Sequence, residues 1–137
     1  MIFRSTTSED ICALSDDFRP IICEDTRGII AERDGKFQAI VLFDHWSASS
    51  VSIHIKIDNP MVIRHGFLDE LFNFVFESGR SKIIGCTPAN NKEALKFIKH
   101  VGFEEVFRIK DGNDFGEDYV ITEMLKENCK YGQAKST

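Results

Sequence analysis

The chain has no surplus of positive charge. Its 17 lysines and arginines stand against 22 aspartates and glutamates, for a net charge of −5. Binding nucleic acid without sequence preference needs a basic footprint, so the balance argues against that class. It says nothing against a locally basic pocket for a phosphorylated cofactor. Metal-binding patterns are missing too. The four cysteines, Cys12, Cys23, Cys86 and Cys129, are scattered without a CxxC pair, and no histidine stands at ligand spacing from them, so no zinc site is expected. The longest apolar run, Ala39 to Phe43, falls far short of a membrane span. No segment resembles a signal peptide, so a cytoplasmic location with reduced thiols is expected. Cys12 and Cys86 have apolar sequence neighbours and read as buried, inert thiols. No internal repeat or low-complexity tract appears.

What remains describes one compact domain. The chain of 137 residues has the size of an ordinary domain, with 42% hydrophobic and 28% charged residues, close to average globular usage. The aromatic content is skewed, with twelve phenylalanines against two tyrosines and one tryptophan. Most of the phenylalanines are expected in the core.

Ile2 to Arg4 reads as a short opening strand. Thr7, Ser8, Glu9 and Asp10 then give a helix start, a capping hydroxyl followed by acids in the first turn. Ile11, Ala13 and Leu14 supply its apolar side, Pro20 breaks it, and Ile21 to Thr26 is ambiguous. Gly28 to Arg33 and Phe37 to Phe43 form a strand pair around Asp34-Gly35, a dipeptide suited to the positive φ angles of a tight hairpin. In Ser50 to Ile57, Val51, Ile53, Ile55 and Ile57 alternate with Ser52, His54 and Lys56, the period of a half-buried strand. Asp58-Asn59-Pro60 ends it.

Phe67, Leu68, Leu71, Phe72, Val75 and Phe76 make one apolar helical stripe, with Asp69, Glu70, Asn73 and Glu77 off it and Ser78-Gly79 closing the helix. Lys82 to Thr87 is a short buried strand. A second helix runs from about Asn91 to Val101, with Asn90 as its cap and Glu93 placed to reach back. Ala94, Leu95, Phe97, Ile98 and Val101 form its buried side, Lys92, Lys96 and Lys99 its wet side, and Gly102 its stop. Phe103 to Ile109 and Tyr119 to Met124 pair around a turn-rich loop, Asp111 to Asp118. The polar stretch 126–137 is expected to fray from Lys126. Strand–helix–strand in the middle requires a parallel pair, whereas the outer strands pair antiparallel. The expectation is an α/β (α+β) domain over 1–125 with a mixed, mostly antiparallel sheet and a central parallel pair flanked by helices.

This order resembles that of the GNAT superfamily of N-acetyltransferases. Within Asn91 to Phe103, Asn91 and Ala94, the apolar pair Phe97-Ile98 and then Gly102-Phe103 resemble the family's fourth-helix motif. The family's other motif, a Gln/Arg-x-x-Gly-x-Gly/Ala loop, is resembled in degenerate form by Ile63-Arg64-His65-Gly66-Phe67-Leu68. The resemblance implies that backbone N–H groups at this helix start hold the pyrophosphate of coenzyme A, as unpaired amides and the helix dipole favour an anion. Leu68 stands where a small residue is usual, and Ile63 where Gln or Arg is usual. The cofactor-binding set implied is Ile57, Asn59, Arg64, His65, Gly66, Phe67, Asn90 and Asn91, with acetyl-CoA or coenzyme A as the ligand. The competing reading is an ordinary helix start with a solvated Arg64.

The catalytic residues are less defined. The family's leaving-group tyrosine falls on Ile98, which has no proton to give. His54 has a suitable ring for a general base, although the plainer reading is one polar residue on a solvated strand face. Glu123, alternating with Ile121, is a second candidate. Asp44, His45 and Trp46 suggest a loop bordering an acceptor site, or simply a turn with one surface aromatic. The short segment between the first two strands suits a large acceptor or a protein partner. Chain economy and the stretch Asp58-Asn59-Pro60-x-Val62-x-Arg64-His65-Gly66 also resemble small GNAT-like proteins of tailed bacteriophages, which would place the chain in the host cytoplasm.

Two functions follow. One is acyl-CoA-dependent N-acyl transfer, acetyl-CoA to an amine on a small molecule or protein, by direct attack. The other is a degenerate GNAT-fold binding module, virion-associated or facing a host protein. A homodimer or another protein partner stays open, and neither nucleic acid nor membrane is expected as a partner.

Overall fold

A computed structural model describes residues 1–13, 25–112 and 116–132, with the side chains of 12 and 13 excepted. Leu14, Pro20, Cys23 and most of the ambiguous stretch before Thr26 lie outside the described residues, as does the Cys12 side chain. The elements are β1 (Ile2–Ser5), α1 (Ser8–Ala13), β2 (Arg27–Arg33), β3 (Lys36–Asp44), β4 (Ser50–Ile57), α2 (Met61–Arg64), α3 (Phe67–Glu77), β5 (Lys82–Pro88), α4 (Lys92–Val101), β6 (Glu104–Ile109) and β7 (Tyr119–Leu125), followed by a 3-10 turn over Lys126–Asn128. The strands form one seven-stranded sheet in the order β1-β2-β3-β4-β5-β7-β6. Only β4 and β5 run parallel; the other neighbours are antiparallel. No helix among the described residues is long and apolar enough to cross a membrane.

The hairpin between β2 and β3 turns on Asp34 (φ 53°) and Gly35 (φ 77°), the positive pair that a two-residue turn requires. Further along, Ala31 faces Ala39 but Glu32 faces Phe37, so Gln38 is an extra residue on β3. This bulge is put to use: the Gln38 carbonyl accepts the amides of Asp58 and Asn59 at 2.9 and 3.0 Å, pinning the end of β4.

Alternation sorts the sheet into two faces. Val41, Phe43 and Val51 join Phe67, Leu71, Phe72 and Val75 of α3 and Val101 and Phe103 at the end of α4 in the main core, against which Ile53, Ile55 and Ile57 pack. Ile30, Ile40 and Leu42 face the other way and pack with Ile11 of α1. All six residues of the α3 stripe are buried. The apolar side of α4 is shallower than its sequence suggests: Val101 is buried, whereas Ala94, Leu95, Phe97 and Ile98 are half-buried. The helix ends in a Schellman motif, with Phe103 N–H on Ile98 O and Gly102 N–H on Lys99 O.

Three expectations need correction. Asn91, not Asn90, caps α4, its side chain accepting the Ala94 amide at 3.2 Å. Cys86 is exposed, because Ile83 and Gly85 lie on the buried face of β5 and Cys86 on the other. The stretch after Lys126 does not fray at once. Cys129 is buried, the Tyr131 ring stacks on Phe72 at 5.4 Å, and Gly132 N–H donates to Asp69. Polar composition concealed three anchoring contacts on α3.

Candidate functional site

The parallel strands β4 and β5 pair over four rows only, from Ser50 opposite Lys82 to Ile53 opposite Gly85. Beyond that row β4 continues to Ile57 alongside β3, and β5 continues to Pro88 alongside β7. The two strands therefore part, and among the described residues their facing edges carry backbone groups that pair with neither each other nor a third strand. Since both strands point the same way, the chain leaves each at the same end. The starts of α3 and α4 follow at that end, and both helix dipoles present their positive poles there.

At α3 the geometry is specific. Gly66 is the capping position at φ 92°, and no side chain caps the helix. The amides of His65 and Gly66 already donate to carbonyls of the preceding turn, Met61, Val62 and Ile63. The first amide of α3 that reaches back into the helix is that of Glu70, on Gly66 O. The helix-start donors are thus those of Phe67, Leu68 and Asp69, at the far end of the stretch expected from sequence, and not those of His65 and Gly66. Phe67 and Leu68 turn their side chains into the core, so neither fills the space above its amide. A side-chain atom added at Gly66 would meet nothing nearer than Asp69 Oδ2 at 4.0 Å. Arg64 and His65 are exposed beside this helix start. The same turn also carries the acids Asp69 and Glu70.

The other proposed ligand residues fall into two kinds. Ile57 ends β4, half-buried on the core face. Asn90 is exposed at the start of α4. The remaining two spend their side chains on the fold. Asn59 donates to Gln38 Oε1 at 2.6 Å and accepts the Met61 amide at 3.1 Å, and Asn91 is the α4 cap. Their contribution to a ligand site is therefore limited to backbone and shape.

His54 is the first residue of β4 past the last paired row, on the face opposite α3. Its Nε2 lies 3.0 Å from both oxygens of Asp44, which is buried at the end of β3. Asp44 Oδ1 is also 3.0 Å from Nδ1 of His45, whose imidazole this carboxylate holds above its usual pKa. Glu123 lies on the same face but level with Ile84, and hence with Ser52, inside the paired part of the sheet. Strand spacings put it on the order of 12 Å from His54, and Lys82 holds it at 3.0 Å. The structure thus separates the two catalytic candidates and gives His54 a partner that sequence did not name. The only signal was an aspartate and a histidine on strands that turn out to be adjacent. The Cys86 thiol lies on the β5 arm of the split, and partial burial pushes its pKa up.

No family model matches the sequence, and no curated protein does. Solved structures do match in fold. The ribosomal-protein-alanine N-acetyltransferase of Brucella melitensis superposes with a TM-score of 0.71 at 17% identity, over 91% of this chain and 99% of that one. A variant of the spermidine N-acetyltransferase of Vibrio cholerae gives 0.70 at 17% identity, over the whole of both chains. A GNAT family acetyltransferase of Elizabethkingia anophelis, solved with acetyl-CoA bound, gives 0.69 at 12% identity, over 90% of this chain and 97% of that one. At such identities the likeness is one of architecture, and the chain folds as a single GNAT-like α/β domain.

Proposed function

We propose that this chain is an acyl-CoA-dependent N-acyltransferase, passing acetyl from acetyl-CoA to an amine on a small molecule or a protein. The observation that carries the proposal is the parting of β4 and β5 with an uncapped helix start at its open end. The donor set fits a phosphorylated cofactor. Amides of Phe67 and Leu68 suit a pyrophosphate, Gly66 leaves room for close approach, and Arg64 and His65 supply charge. Acetyl-CoA supplies an activated acyl group as a thioester. The unpaired edge of β4 past Ile53 offers backbone N–H groups to the carbonyl oxygen as charge builds there, and His54 is the base candidate nearest the parting. Holding amine and acyl group together in the narrowing split accounts for rate without a proton donor to the thiolate.

A second reading, a catalytically degenerate GNAT-fold binding module, virion-associated or facing a host protein, is favoured by Ile98 in place of the usual tyrosine and by Asp69 and Glu70, whose charge opposes an anion at the α3 start. Calorimetric titration with acetyl-CoA and coenzyme A decides between them, run beside the Arg64→Ala, Gly66→Glu double variant. Micromolar binding lost in the variant supports the enzyme. A folded protein that takes up neither ligand at millimolar concentration rejects it and leaves the binding module.

A further inference from the structure

The end of β3 carries a carboxylate that the fold has taken out of water. Asp44 is 3% exposed, and a buried carboxylate needs donors. Two imidazoles supply them, His54 through Nε2 and His45 through Nδ1. His45 does so from φ 52°, a left-handed conformation that costs a non-glycine residue about 1 kcal/mol or more. The contact with Asp44 thus holds the backbone of the loop as well as two rings.

An ionised carboxylate can only accept, so the His54 nitrogen facing it carries the hydrogen. That selects the Nε2–H tautomer and leaves the lone pair on Nδ1. The ring is neither free nor sealed: its side chain is 29% exposed, and it springs from the first residue of β4 past the rows paired with β5. The same carboxylate would stabilise the imidazolium formed when Nδ1 takes up a proton.

We propose that Asp44 is the positioning residue for His54, fixing its tautomer so that Nδ1 takes a proton from the acceptor amine; this rests on the acyltransferase reading above. In that step an N–H bond of the ammonium breaks and its proton passes to Nδ1. The freed electron pair forms the C–N bond as the C–S bond of the thioester breaks. The second proton lost by nitrogen goes to the thiolate, giving amide and thiol, and the imidazolium returns its proton to water.

The test is ring tautomerism in the full chain, read by long-range proton–nitrogen NMR of labelled protein above the imidazole titration range, with His54 assigned by its loss in His54→Gln. Wild type is expected as Nε2–H. In Asp44→Asn the new amide can donate to Nε2, and the ring is expected to change to Nδ1–H. With spermidine and an alanine-ended peptide as probe amines, Asp44→Asn is expected to lower kcat roughly 10²-fold or more, with the KM for acetyl-CoA little changed. His54→Gln should show a similar loss and the double variant no further loss. A wild-type His54 found as Nδ1–H overturns the proposal even if every variant misfolds, and so do losses that add in the double variant. Failure of the acyltransferase reading looks different: wild type then takes up no acetyl-CoA, a result on which the tautomer measurement does not depend.

Discussion

The hydroxyl of Thr122 is buried in the middle of β7 without a partner among the described residues, and a desolvated polar group that bonds to nothing lowers stability. Valine has the same shape. Thr122→Val is therefore expected to raise stability by about 1 kcal/mol, seen as a higher urea midpoint at unchanged slope. A second residue-scale contact is ionic. The Arg4 guanidinium hydrogen-bonds Asp10 and, with help from Thr7, holds its carboxyl down at about 2 against an ordinary 3.8. A depressed carboxylate contributes stability above its unfolded pKa and loses it as pH falls through the folded one, so the window runs from about pH 4 to pH 2. Arg4 is 39% exposed, and solvent screening reduces the effect to the order of 1 kcal/mol. Urea unfolding at pH 5 and pH 2 should show a loss in wild type that Asp10→Asn lacks. Single residues were unevenly legible in the sequence. The α3 stripe was readable because helical period alone sets it. The Asp44–His54 contact was not, because it depends on the register of two strands, which no local pattern encodes.

Among the elements, α3 meets two glycines in opposite settings, Gly66 at its start and Gly132 packed against Asn73. Gly66 at φ 92° has open space around it, so Gly66→Ala meets no clash and pays only the left-handed backbone cost, about 1–2 kcal/mol. Thermal unfolding should show that loss, and Gly66→Asn should lose less. Gly132 is the opposite case. A side-chain carbon there would come within 2.2 Å of Asn73 Oδ1, so Gly132→Ala is expected to lift the segment that carries Cys129 and Tyr131 off α3. The check is chemical: the Cys129 thiol, 5% exposed, should react with a disulfide reagent in the folded variant far faster than in wild type. Element existence and order were legible because turns, caps and periods are local. The short α2 was missed, since Met61 to Arg64 follows a proline and is too brief to show a period. The contacts of residues 129–132 were missed because they join positions up to 63 apart.

For the whole molecule, burial predicts the order in which the backbone opens. Ala39 to Phe43 of β3 are 0–1% exposed between two partner strands, whereas every residue of the edge strand β6 is exposed. Native-state hydrogen exchange should find β3 slowest and β6 fastest among the strands. The bulge at Val106 in β6 and its charges blunt that edge against pairing with another chain.

The four-row ladder between β4 and β5 also makes the sheet a lever. Two plates, β1 to β4 and β5 with β7 and β6, meet along Ser50–Ile53 and Lys82–Gly85 as along a hinge line. β4, still paired with β3, runs four residues past this line, roughly 13 Å at strand spacing. Rotating one plate by about 5° shifts the rim by about 1 Å over that length. Gly85 lies in the last hinge row, where an added carbon would sit 2.7 Å from Thr122 Oγ1. A small rotation at the ladder is thus magnified at the mouth, and the width of the opening is governed by the packing of four rows that lie inside it.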